Sequence, residues 1–201
     1  MLVSMPAVSA TIPAPMTRAP HPDPSTLSPQ TREMLAALPG NNVFQALAHA
    51  DAAFPPLMAL TASLWNEAVL GQRQRELAIL RTARLLDSEY EWMHHVEVAR
   101  MVGITEDELA ALAAGDVAGF PEADRLLLEA VPAILARRRS DDAAFAALRA
   151  ALSLREVVEL HLVVGLYATI AGVVADLDVP LDDRSGAFEL EHDQRGPRLG
   201  R

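Results

Sequence analysis

Glu76, Glu91 and His95 are the residues in this sequence whose types and spacing could do chemistry together. Glu91 and His95 stand four apart, so on a helix they share one face. Glu76 lies in the preceding apolar stretch. If the two stretches form an antiparallel hairpin through Asp87-Ser88, Glu76 is 11 residues before the turn and His95 is seven after it. At about 1.5 Å per residue these offsets differ by roughly 6 Å, about one helical turn, which side chains can bridge. Two carboxyls and an imidazole facing an apolar bundle are driven apart in proton affinity by desolvation and like-charge repulsion. One carboxyl then holds a proton while the histidine accepts one, which is the equipment of general acid–base catalysis near neutral pH. Spacing alone leaves other readings open. Ser88 and Glu91 also fit the N-cap and N3 positions of a capping box. Glu76 could pair with Arg73, Arg81 or Arg84, and His95 could be a hydrogen-bonded packing residue.

Candidate substrate contacts are Arg84, Ser88, His161 and Tyr167. Arg84 is eight residues beyond Glu76 on the same helical face, and its guanidinium could grip a carboxylate in two places. His161 and Tyr167 sit in a later apolar stretch that could reach the site from a neighbouring helix. His94 points about 100° away from His95 and cannot share its site.

The 201-residue composition excludes much other chemistry. There is no cysteine, which removes thiol nucleophiles, thiol peroxidation, disulfides, iron–sulfur clusters and cysteine–zinc sites. There is no lysine among the 17 basic residues, which removes Schiff-base catalysis and the P-loop lysine. A net charge of -10 leaves no basic footprint for nucleic acid beyond Arg137-Arg138-Arg139. No uninterrupted apolar run reads as a bilayer span, and the N-terminus lacks the basic region of a secretory signal. A cytoplasmic protein with no nucleic-acid or membrane partner is expected.

The elements that must position these residues read as helices throughout. Residues 1–29 carry seven of the 14 prolines and read as a flexible arm, and 184–201 as a flexible tail. Between them, 30–183 forms one helical domain. Helices are expected at Thr31–Leu38, Asn42–Asp51, Pro55–Val69, Gln72–Leu86, from Ser88 to Gly103, from Thr105 to Gly115, from Pro121 to about Arg138 with Pro132 as a kink, from a Ser140 cap to Leu152, and from a Ser153 capping box to Asp176. Short loops make this an all-α antiparallel bundle.

The stretch from Glu76 to His95 resembles the carboxymuconolactone decarboxylase-like family, which includes the alkylhydroperoxidase D branch. That branch spaces Glu, Cys, Cys and His as Glu76, Ser88, Glu91 and His95 are spaced here. The flanking Arg-Glu-Leu-x-Ile-Leu-Arg and Glu-Tyr-Glu-Trp segments agree, as do 42–70 and 152–183. Both redox cysteines are replaced, so the resemblance cannot carry peroxidase chemistry. It implies a Glu76–His95 proton relay and chemistry nearer the decarboxylase branch, which needs no cofactor. The expected function is a lyase or isomerase acting on a small carboxylated lactone or enolisable carbonyl compound, with His95 as acid/base, Glu76 tuning it and Glu91 as a second acid/base. The resemblance also implies a homo-oligomer. One alternative is a non-catalytic helical oligomer that binds a ligand or partner. Another is a metal enzyme using the Glu-x-x-His of Glu91 and His94, which would need a second copy; Glu189 and His192 are the other such pair.

Overall fold

The computed structural model describes residues 17–182. They form nine α-helices and a short 3-10 turn at Pro24–Thr26, with no strand among the described residues. The helices are α1 (Pro29–Ala37), α2 (Asn42–Leu47), α3 (Phe54–Asn66), α4 (Gln72–Leu85), α5 (Glu89–Met101), α6 (Glu106–Ala114), α7 (Glu122–Leu135), α8 (Asp142–Ala151) and α9 (Leu154–Asp176). The fold is all-α, as the periodicity requires.

Start and stop residues explain the boundaries. Thr105 with Glu108 and Ser153 with Glu156 form reciprocal capping boxes at α6 and α9, and Gly115 ends α6 with a left-handed φ of 81°. Several details differ from the sequence expectation, among them α1, which begins at Pro29 behind a Ser28 cap rather than at Thr31, and α3, which stops at Asn66 rather than Val69. Asp141, not Ser140, caps α8, accepting from the backbone N–H of Ala144. The α2 segment stops at Leu47, well short of Asp51. Ser88 caps α5 by accepting from the Glu91 N–H at 3.5 Å, but Glu91 does not reach back to complete the box. Its carboxylate turns inward instead and is free for the site.

α4 is the hub. It packs most extensively against α5, α9 and α7. Consequently Arg75, Glu76, Leu77, Ala78, Ile79, Leu80, Thr82 and Ala83 are all buried, on every side of the helix rather than along one stripe. Its start is fixed from α9: the buried Glu159 carboxylate accepts from the backbone N–H groups of Val69 and Leu70, each at 2.8 Å. The turn to α5 runs through Asp87 at φ 51°, and the Ser88 N–H returns to the Ala83 carbonyl at 2.9 Å.

α9 departs from the expectation that no segment is apolar enough to span a bilayer. Its 23 residues are long and apolar enough by length and composition. Here it is a core helix that packs against α4, α7, α2, α5 and α8 and buries Val157, Leu160, Val163, Val164 and Ile170.

The arm expected over 1–29 is also corrected in part. From Thr17 onward it is tied to the body: the Arg18 N–H donates to the Leu177 carbonyl at 2.9 Å, and the Ser28 N–H and hydroxyl both donate to Asp51 at 3.0 Å. Proline removes helix donors, but it leaves the carbonyls and side chains free to bond elsewhere. Residues 1–16 and the tail expected at 184–201 lie outside the described residues.

Candidate functional site

α4 and α5 run antiparallel from their shared turn, and this brings Glu76 against His95. The His95 Nδ1–H donates to Glu76 Oε2 at 2.8 Å. Glu76 is 0% exposed and His95 is 8% exposed. The second Glu76 oxygen accepts from Arg75 Nε at 3.0 Å. Arg75 is itself 4% exposed, donates to the Trp65 carbonyl at 3.1 Å and lies 4.0 Å over the Trp65 ring. Glu76 is thus a buried carboxylate balanced by a buried guanidinium, and its remaining acceptor fixes the imidazole. Because a carboxylate only accepts, it holds the proton on Nδ1 and turns Nε2 outward.

Nε2 faces Glu91 Oε2 at 3.7 Å. Glu91 is 4% exposed, and burial pushes its pKa up despite the opposing pull of His95 and then His94. The 3.7 Å separation is long for a hydrogen bond. Tyr167 packs edge-on against His95, with ring centroids 4.9 Å apart. Its phenol is held well above its ordinary pKa, first by burial and then by the charges of Glu76 and Glu91. Trp65 lies on another side of the imidazole, 6.1 Å between centroids.

The carboxymuconolactone decarboxylase family model matches residues 51–133, a span that contains Glu76, Glu91 and His95. The match spans less than half of the chain, and over that span the chain is similar to the carboxymuconolactone decarboxylase family. Three solved structures resemble this chain. One is a protein of unknown function from Agrobacterium tumefaciens, described as a candidate antioxidant defence protein AhpD; it is 25% identical, TM-score 0.61, covering 68% of this chain and 95% of that one. The alkylhydroperoxidase AhpD core of an uncharacterized peroxidase-related protein from Ralstonia eutropha JMP134 is 19% identical, TM-score 0.72, covering 85% and 94%. An uncharacterized peroxidase-related protein from Silicibacter sp. TM1040 is 19% identical, TM-score 0.71, covering 86% and 95%. The last two show the fold. No curated protein matches the chain.

The structure gathers Glu76, Glu91, His95 and Tyr167 and leaves the other candidate residues elsewhere. Arg84 is at the far end of α4, donating to the Ala113 carbonyl at 2.6 Å and to Asp87 at 3.1 Å. Eight residues of helix carry it about 12 Å from Glu76. Ser88 is occupied as the α5 cap. His161 is exposed and donates from Nδ1 to the Val157 carbonyl at 2.8 Å. Six residues separate it from Tyr167, about 600° of helical rotation, so the two face different ways. Tyr167 packs against His95, and the two best-defined cavities among the described residues do not touch Glu76, Glu91 or His95.

Sequence reasoning missed two things. Arg75 was unexpected because adjacent residues on a helix diverge by about 100°; its long side chain folds back to Glu76. The second is a cluster around His94. The ring stacks on Tyr90 at 4.3 Å, its Nδ1–H donates to the Tyr90 carbonyl at 2.8 Å, and its Nε2–H donates to Asp182 at 3.0 Å. The Tyr90 hydroxyl also donates to Asp182. No local signal links residue 94 to residue 182. The Glu-x-x-His of Glu91 and His94 is likewise divided between the two clusters, and no group of three His, Asp or Glu side chains with metal-binding geometry occurs among the described residues. Glu189 and His192 lie outside them.

The His94 cluster makes stability depend on pH. Burial pulls the His94 pKa down, but the Asp182 hydrogen bond and then the Tyr90 carbonyl outweigh it, and the net shift is upward. Burial raises Asp182, but the His94 and Tyr90 hydrogen bonds outweigh it, and the net shift is downward. The raised histidine contributes stability that is complete below its unfolded value of about 6.5 and is lost as pH rises through its folded value. The lowered carboxylate contributes stability present above its unfolded value of about 3.9 and lost as pH falls through its folded value. Urea midpoints should therefore be highest between roughly pH 4 and 6.5 and decline above that window, and Asp182→Asn should flatten the decline. An unchanged decline in the variant would assign it to other groups.

Proposed function

We propose that this protein is a cofactor-free acid/base enzyme, a lyase or isomerase acting on a small carboxylated lactone or enolisable carbonyl compound. The observation that carries the reading is a buried imidazole with one nitrogen fixed by Glu76 at 2.8 Å and the other facing Glu91, a carboxyl whose burial favours its protonated form. His95 Nε2 is the base and Glu91 the acid. In an isomerisation, His95 takes the proton beside the carbonyl, the electron pair passes into the enolate, and Glu91 delivers a proton to the enolate carbon. In a decarboxylation, carbon dioxide leaves, the pair of the broken C–C bond stays on the substrate, and Glu91 protonates it. Arg75 and Glu76 hold the imidazole and do not touch the reacting atoms. The absence of cysteine rules out the thiol redox cycle. A screen of small lactones, β-keto acids and enolisable ketones, each run beside His95→Gln, tests the reading; turnover that survives the substitution overturns it.

One observation favours the non-catalytic reading, a helical oligomer that binds a ligand or partner. The His95 edge that reaches solvent is small, at 8% exposure, and neither of the best-defined cavities meets it. If the screen finds no turnover with any substrate class, this reading leads.

The same proposal places the protein in the cytoplasm, with a small molecule rather than nucleic acid or membrane as its partner, and makes it a homo-oligomer. Leu154, Val158 and Leu162 line an exposed apolar stripe along α9. Sedimentation of the full chain at micromolar concentration should show a species larger than 21.7 kDa. A monomer would count against it.

A further inference from the structure

A cavity of about 280 Å³ lies between α7, α8 and α9 and shares no lining residue with the His95 cluster. Ile134, Phe145 and Leu148 give it an apolar lining, and Arg138, Arg139 and His161 a basic one. The backbone builds it. α7 ends at Leu135, Arg137 turns left-handed at φ 51°, and the Arg138 N–H returns to the Ala133 carbonyl at 3.0 Å. This reversal delivers two consecutive arginines to the cavity. Arg139 is neutralised by Asp142 at the start of α8. The Arg138 guanidinium has no hydrogen bond or ion pair among the described residues. His161 commits Nδ1 to the Val157 carbonyl and leaves Nε2 open. Phe145 keeps 43% of its surface exposed, an uncovered aromatic ring beside an uncompensated cation.

We propose that this cavity binds a small aliphatic monocarboxylate, with its carboxylate on Arg138 and its hydrocarbon chain against Ile134, Phe145 and Leu148. In a chain of net charge -10, an anion is attracted only where the local field is positive, and Arg137–Arg139 is the sole run of cations in the sequence. The charge balance selects a monoanion: Arg138 is the one unpaired guanidinium of the lining, because Arg139 is already paired with Asp142. A planar carboxylate also matches the guanidinium fork. The volume lies just under the roughly 300–1,000 Å³ of drug-sized pockets, which limits the ligand to a short chain. The assignment is independent of the chemistry proposed at His95.

The test titrates sodium hexanoate into the full chain, followed residue by residue in proton–nitrogen and methyl correlation spectra, with hexan-1-ol and inorganic phosphate as comparators. Hexanoate should give saturable shifts at Phe145, Leu148 and His161. Arg138→Gln, an exposed position whose loss leaves circular dichroism unchanged, should weaken binding about tenfold, as should removing the ligand's charge in hexan-1-ol. Phe145→Ala should weaken hexanoate without creating any preference for phosphate. Equal binding of the acid and the alcohol, indifference to Arg138→Gln, or phosphate binding as well as hexanoate overturns the proposal. So do shifts confined to Trp65, His95 and Tyr167, which would send the carboxylate to the other site.

Discussion

His95→Gln should lower kcat/KM about 10²–10⁴-fold on whatever substrate the wild-type chain turns over, the range of a lost general acid/base. That is about 3–5 kcal/mol of transition-state stabilisation. The fold should survive. A glutamine amide at this position can still donate to Glu76 Oε2, so the buried carboxylate keeps a partner where His95 Nδ1 now sits at 2.8 Å. What disappears is Nε2, the basic nitrogen that faces Glu91 at 3.7 Å. Steady-state rates and urea unfolding on the same preparations separate the two effects. A variant that unfolds at the wild-type midpoint and loses turnover supports the assignment. One that keeps its rate removes His95 from the chemistry.

Glu76→Ala should be the most damaging single change to stability, costing about 3–5 kcal/mol as a buried ion pair broken from one side. The reason lies in Arg75. It is 4% exposed and its Nε–H would lose its acceptor, leaving a guanidinium held by the Trp65 carbonyl and ring alone. The His95 Nδ1–H would lose its acceptor as well. The informative comparison is the double change Arg75→Met with Glu76→Leu, which removes both charges and fills the space with apolar side chains. It should be less destabilising than Glu76→Ala, because no uncompensated charge remains. Denaturant unfolding of the single and double variants measures this. A double variant less stable than Glu76→Ala would mean that the ion pair contributes net stability of its own.

How much of this was legible without coordinates differs between the fold and the site. The helices follow from local signals. Ser88, Thr105 and Ser153 cap helices where the sequence offers a hydroxyl before an apolar run, and Gly115 ends one where a left-handed residue is needed. Such signals act within a turn or two of chain and are independent of the rest of the molecule. The Glu76–His95 contact was also accessible, because a short turn between two helices leaves little freedom in how they pair. Helical rise then fixes which residues meet.

Tertiary structure alone decided the remainder. Arg84 shares a helical face with Glu76, yet it lies at the opposite end of α4 and bonds the end of α6. Arg75 is on a neighbouring face, yet it joins the site, because α4 is enclosed on all sides and a buried guanidinium must take the nearest carboxylate. Glu91 satisfied the sequence pattern of a capping box, but burial between α5 and its neighbours turned it toward His95 instead. Asp182 reached Tyr90 and His94 across 88 or more residues, a pairing that no local spacing encodes. Types and spacings along the chain determined which groups could meet within one hairpin. The packing of α5, α9 and α7 around α4 determined which charges were buried, and burial is what makes a carboxyl or an imidazole differ from its behaviour in water.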